Sequence, residues 1–163
     1  MTDPADLEAL LARQPVGFIA TAVDDQPYVI PNLFWFDAAA RRLYFHTARQ
    51  GRTRENIERN PRVCFSVAEL GRLLPADTAL EFNAEYASII AFGRARLVDD
   101  RAEQRHGLQG LLDKHFPQLH PGRDYRPMTD DELERTAVFA IDIEAWSGKR
   151  ERQPEPPDDS RTP

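Results

Sequence analysis

Sulfur is scarce in this chain: 163 residues carry one cysteine, Cys64, and two methionines. A single thiol closes no internal disulfide, so the fold is expected to hold by packing alone in a reducing compartment. No apolar run approaches the roughly 20 residues of a membrane helix, which excludes a transmembrane protein. Met1-Thr2-Asp3-Pro4 places no basic region ahead of an apolar stretch, so no secretory signal is expected and the protein is assigned to the cytoplasm. Nucleotide loops of the G-x-G-x-x-G and G-x-x-x-x-G-K types are missing, as are G-x-S-x-G and H-E-x-x-H. The four histidines (46, 106, 115 and 120) lack metal-ligand spacing, and no metal is expected. An excess of positive charge is missing too. The net charge of -6 argues against a nucleic-acid partner.

What is present has a globular balance: 41% hydrophobic and 29% charged residues. The length suits one domain, expected over 1–150. The stretch from Glu151 to Pro163 holds four prolines and almost nothing apolar, and reads as a disordered, proline-rich acidic tail.

Local signals set out the elements. Asp3 is placed to cap a helix that starts at Pro4 and buries Leu7, Leu10 and Leu11. Strands are predicted over 16–22, 28–36, 42–47, 62–68, 86–98 and 137–146. Pro31 lacks an N–H, so its strand needs an edge, a bulge or a ligand there. Residues 48–60 read as a loop entering a short helix, and 70–84 as a long loop. Asp100 with Glu103 opens a helix whose stripe is Leu108, Leu111, Leu112, His115 and Phe116. Thr129 with Glu132 opens another. Six strands with inserted helices predict a mainly β, α+β fold: a six-stranded antiparallel split β-barrel with peripheral helices.

Charge is concentrated in one place. Residues 41–62 hold seven arginines against Glu55 and Glu58, so this segment is +5 and the rest of the chain is -11. Within it a strand ends at Thr47, Gly51 follows, and a helix opens on Arg52-Thr53-Arg54. Arginines at a helix start oppose the helix dipole by ~0.3–1 kcal/mol each. A bound anion would turn that misfit into charge-assisted hydrogen bonds. Two readings stand on the residues alone: a phosphate site, or a solvated helix with i,i+4 ion pairs.

The segments GFIATA (17–22), QPYVIPN (26–32), LYFHTARQGRTRENIERNPRVCF (43–65), YASIIAFGRARLV (86–98) and TAVFAIDIEAWSGKR (136–150) together resemble the pyridoxamine 5'-phosphate oxidase-like, FMN-binding split-barrel superfamily. The look is that of its nitroimidazole-resistance branch. The resemblance implies a homodimer with FMN in clefts between the subunits. It implies that Thr47, Gly51, Arg52, Thr53 and Arg54 hold the phosphate. The ring would run along the backbone of Val29, Ile30, Pro31, Asn32 and Leu33, with Ser88 and Trp146 also at the flavin. His46 is the position to watch for substrate contact, or else packs under the ring. Thr53 and Phe34 stand where pyridoxamine phosphate oxidases carry basic residues, which points away from pyridoxamine phosphate as substrate. The implied activity is a flavin-dependent oxidoreductase acting on a small molecule, nitroaromatics included, with electrons from a nicotinamide or deazaflavin donor. Alternatives are a non-catalytic flavin-binding protein and a haem-binding split barrel with His46 as ligand.

Overall fold

The computed structural model describes Met1 and residues 3–153. Helix α1 (Pro4–Arg13) starts as its local chemistry demands. The Asp3 side chain accepts a hydrogen bond from the Ala5 N–H at 3.0 Å, and Leu7, Leu10 and Leu11 are buried. Strands β1 (Val16–Val23) and β2 (Gln26–Leu33) form a hairpin whose two turn residues, Asp24 and Asp25, both sit at positive φ (51° and 59°). A two-residue hairpin turn needs that left-handed pair. Next come β3 (Trp35–Asp37), β4 (Arg42–Ala48), α2 (Arg52–Arg59), β5 (Arg62–Leu74), a single 3-10 turn at Ala79–Glu81, and β6 (Asn83–Leu97). Helices α3 (Arg101–His115) and α4 (Asp130–Arg135) precede β7 (Thr136–Glu151).

All pairings between the strands are antiparallel, in the order β2-β1-β5-β6-β7-β4-β3. The expected barrel of α+β type is present, with seven strands rather than six among the described residues. The difference lies at Phe34. The predicted 28–36 strand is broken there, because Phe34 turns inward and is 1% exposed. β2 pairs with β1 up to Leu33, and β3 pairs with β4 from Trp35. The two ends of the strand order are thus joined through one residue. Asn32 Nδ2 adds a hydrogen bond to the His46 carbonyl across the same gap, at 3.0 Å.

Inside the barrel, Ile19, Phe34, Phe45, Phe65, Ile89 and Phe139 form the core, and α1 packs its leucines onto the same cluster. Helix α3 covers the outer face of β4 and β7, over Tyr44, Val138 and Ala140. It sits close because Gly110 has no side chain: a Cβ there would lie 2.1 Å from the Trp35 ring. Glu103 ties α3 down, accepting from Arg42, Tyr44 and Arg96 at 2.9, 3.0 and 2.6 Å.

Three further expectations are corrected. The 70–84 loop is mostly a hairpin, because Leu70, Leu73 and Leu74 pair with Tyr86, Ala84 and Asn83, and Arg72 bonds Glu85. The inward face of α3 is Gly107, Gly110 and Leu111, while Phe116 lies outside the helix and is exposed. β7 runs five residues beyond Trp146, to Glu151. Of the expected tail, residues 154–163 lie outside the described residues.

Candidate cofactor site

β4 ends at Ala48, and the chain turns through Gly51 into α2. Gly51 has φ 139°, a conformation that favours glycine, and the space a Cβ would enter is open. Among the described residues no side chain caps α2, whereas Asp3, Asp100 and Thr129 cap α1, α3 and α4. The donors of its first turn therefore await an acceptor.

Arg52 leads this turn. Its guanidinium lies 4.7 Å from the centroid of the Tyr28 ring on β2, and among the described residues it has neither an ion pair nor a hydrogen bond. The aromatic face holds the cation in place and leaves its five donors unspent. Arg54 lies two residues on, about 200° around the helix. It is committed elsewhere: Nε donates to Glu58 at 2.7 Å and Nη1 to the Arg49 carbonyl at 3.0 Å. Arg49 in turn donates to the Glu134 carbonyl.

The inward face of α2 carries Thr53, Asn56 and Ile57, all buried. Asn56 Nδ2 donates to Thr21 Oγ1 on β1 at 2.8 Å, and Thr21 makes a long contact of 3.4 Å to the Tyr28 carbonyl. The helix start is thereby registered against the residue that holds Arg52. Thr47 is half-buried beside this turn and donates to the Ala48 carbonyl at 2.8 Å. Desolvation pushes the His46 imidazole below its ordinary pKa, which favours the neutral ring.

β2 ends the strand order, as Pro31 requires, and over 26–33 it pairs with β1 alone among the described residues. The backbone groups from Val29 to Leu33 that face away from β1 are open to a ligand. The structure thus brings Tyr28 to Leu33, His46, Thr47 and the Gly51–Thr53 turn into one region. Ser88 and Trp146 are held elsewhere. Ser88 is half-buried on β6 between Ala68 and Lys149. Trp146 packs on Phe36 at 5.7 Å, with the Arg41 guanidinium 4.9 Å above it. Tyr28, Thr21 and Asn56 were not singled out in the sequence. The available signal was a polar Asn56 sharing the Ile57 face of a short helix.

Outside the barrel, the registers Phe18–Ser66–Ile90 and Ala20–Cys64–Phe92 put these residues on one face. Phe18, Ile90 and Phe92 are 47%, 43% and 56% exposed there, and Val29 and Leu33 continue the apolar surface onto β2. Cys64 lies in this face, half-buried, and desolvation pushes its thiol pKa up.

A family model described as pyridoxamine 5'-phosphate oxidase matches residues 3–150. No curated protein sequence is significantly similar to the chain. Among solved structures, a flavocytochrome from Azotobacter vinelandii superposes with TM-score 0.78 at 27% identity, over 94% of this chain and 70% of its own. An FAD- and haem-binding protein from Mycobacterium smegmatis superposes with TM-score 0.83 at 25% identity, over 94% and 73%. A 5-nitroimidazole antibiotic resistance protein from Bacteroides thetaiotaomicron shares the fold at TM-score 0.76 and 19% identity, over 91% and 84%.

Proposed function

The chain belongs to the pyridoxamine 5'-phosphate oxidase family, and from that premise we propose that it is a flavoprotein holding FMN, with the phosphate at the start of α2, and that it works as an oxidoreductase on a small molecule. The observation that carries the reading is an uncapped helix start beside an arginine that an aromatic ring steadies and that, among the described residues, no carboxylate neutralises. This donor set fits a phosphate: backbone N–H groups, a guanidinium, and the hydroxyls of Thr47 and Thr53. Flavin-binding solved relatives support it.

When bound, the flavin supplies the hydride or electron chemistry. The protein's own residues bind and orient. Arg52, Arg54, Gly51, Thr47 and Thr53 anchor the phosphate. The backbone from Val29 to Leu33 aligns the ring, and a neutral His46 contacts the substrate. The apolar face around Phe18, Ile90 and Phe92 meets a second copy of the chain, closing the cleft against water and bringing Ser88 and Trp146 to the flavin across the homodimer. Electrons come from a nicotinamide or deazaflavin donor, in the cytoplasm, and a nitroaromatic is a suitable acceptor.

The test begins with the absorbance of freshly purified protein and the mass of the released chromophore, which separates FMN, FAD and haem. Reduction by NADH or NADPH, with and without a nitroaromatic acceptor, then separates an enzyme from a non-catalytic flavin carrier. Arg52→Ala with Arg54→Ala is expected to lose FMN while circular dichroism stays native. Unchanged retention would remove the phosphate from α2. One observation favours a second reading, haem with His46 as ligand: the two relatives at 27% and 25% identity are a flavocytochrome and an FAD- and haem-binding protein. A sharp Soret band would select it.

A further inference from the structure

A second cleft lies between α1, β3 and α3, with a volume of about 680 Å³. Its walls are mainly apolar, with Ala5, Ala9 and Ala12 from α1 and Trp35 and Phe36 from β3, and carry two carboxylates, Glu8 and Asp113. Lys114 of α3 lines it as well. This amine is unusual in its surroundings. Its Nζ donates to the Leu11 carbonyl at 2.9 Å and lies 3.4 Å from the centroid of the buried Phe34 ring. Neither contact is an ion pair, and among the described residues Lys114 makes none.

We propose that this cleft binds small aldehydes with an aromatic or apolar body, and that Lys114 condenses with them as a Schiff base. The ring or chain of the aldehyde would lie against the alanines, Trp35 and Phe36. The neutral amine adds to the carbonyl carbon. A C–N bond forms, the carbonyl oxygen leaves as water with the two protons of the amine, and the product is an imine. No oxidant or reductant is needed. Loss of the ammonium charge also cancels the attraction of the Phe34 ring. The amine must also give up the Leu11 carbonyl before the four-carbon stem, which lines the cleft, turns toward the aldehyde.

The protonation state supports this. Desolvation lowers the Lys114 pKa to about 8, so a large share of the amine is neutral near pH 8. Glu8 from α1 and Asp113 from α3 line the cleft with it, His115 of α3 interacts with it, and β3 contributes only Trp35 and Phe36 to the cleft. His115, lowered by desolvation, is neutral in this range.

The chain has just two lysines, Lys114 and Lys149, which gives the experiment an internal control. The full chain is incubated at pH 8 with benzaldehyde, trapped with borohydride, digested and mapped by mass spectrometry. The expected result is a benzyl adduct on Lys114 at least roughly tenfold above that on exposed Lys149. Excess benzyl alcohol, which has the ring without the carbonyl, is expected to suppress the Lys114 adduct and leave that on Lys149 unchanged. Ala9→Phe, on the exposed side of α1, is expected to fill the cleft and do the same. Equal labelling of the two lysines overturns the proposal, as does Lys114 labelling that neither benzyl alcohol nor Ala9→Phe reduces.

Discussion

Arg52 and Arg54 look equivalent in the sequence and are not. Arg52 lies on Tyr28 with its donors unspent, and Arg54 is held by Glu58 and the Arg49 carbonyl. Arg52→Ala is therefore expected to weaken FMN binding by about 1.5–3 kcal/mol, roughly ten- to a hundredfold in Kd. Arg54→Ala is expected to cost less, because its guanidinium must first leave a carboxylate. Titration of flavin fluorescence checks the order, and an equal loss in both variants would contradict it. Asn56 belongs to the same scale. Asn56→Leu removes the donor to the Thr21 hydroxyl and leaves it only its long contact to the Tyr28 carbonyl, and is expected to lower stability by about 1–3 kcal/mol in urea unfolding. That the 43–65 segment forms a basic turn was legible, because seven arginines and a glycine are local facts. That Tyr28 selects Arg52 was not, because strand pairing and helix docking bring residues 24 positions apart together.

Elements followed the same division. The starts of α1, α3 and α4 were readable from Asp3, Asp100 and Thr129, since a cap acts within three residues. The break at Phe34 and the hairpin over 70–84 were not, since pairing with distant strands decides both. Helix α3 hangs on Glu103, whose carboxyl is held below its ordinary pKa, first by the Arg96 hydrogen bond and also by Tyr44 and Arg42, against the opposing effect of burial. A carboxylate lowered on folding stabilises above its unfolded pKa of about 4.3 and loses that contribution as pH falls through the folded value. Wild type is therefore expected to lose stability relative to Glu103→Gln below about pH 4.5. Parallel acid titrations followed by circular dichroism read the difference, and curves that stay parallel would remove Glu103 as the tether. Gly110→Ala is expected to unseat the same helix, at a cost of about 1–3 kcal/mol, because the new methyl meets the Trp35 ring.

For the molecule as a whole, the exposed sheet face is the main unsatisfied feature. Phe18, Ile90 and Phe92 form a contiguous apolar surface that a monomer would leave in water. Sedimentation is expected to give a dimer at micromolar concentration, and Phe18→Lys with Phe92→Lys is expected to give a folded monomer with weaker flavin retention. A monomeric wild type would count against the shared cleft. The prolines of β2 bear on how a second copy would meet the first. Pro27 and Pro31 remove two donors from the strand that ends the sheet order, and Phe34 joins that strand directly to the opposite end. A foreign polypeptide seeking a ladder to extend finds an interrupted template, while a ligand needing only one or two backbone groups is still served. The rim is permissive to small guests and closed to runaway β-stacking, which leaves face-to-face contact as the expected route for a second copy.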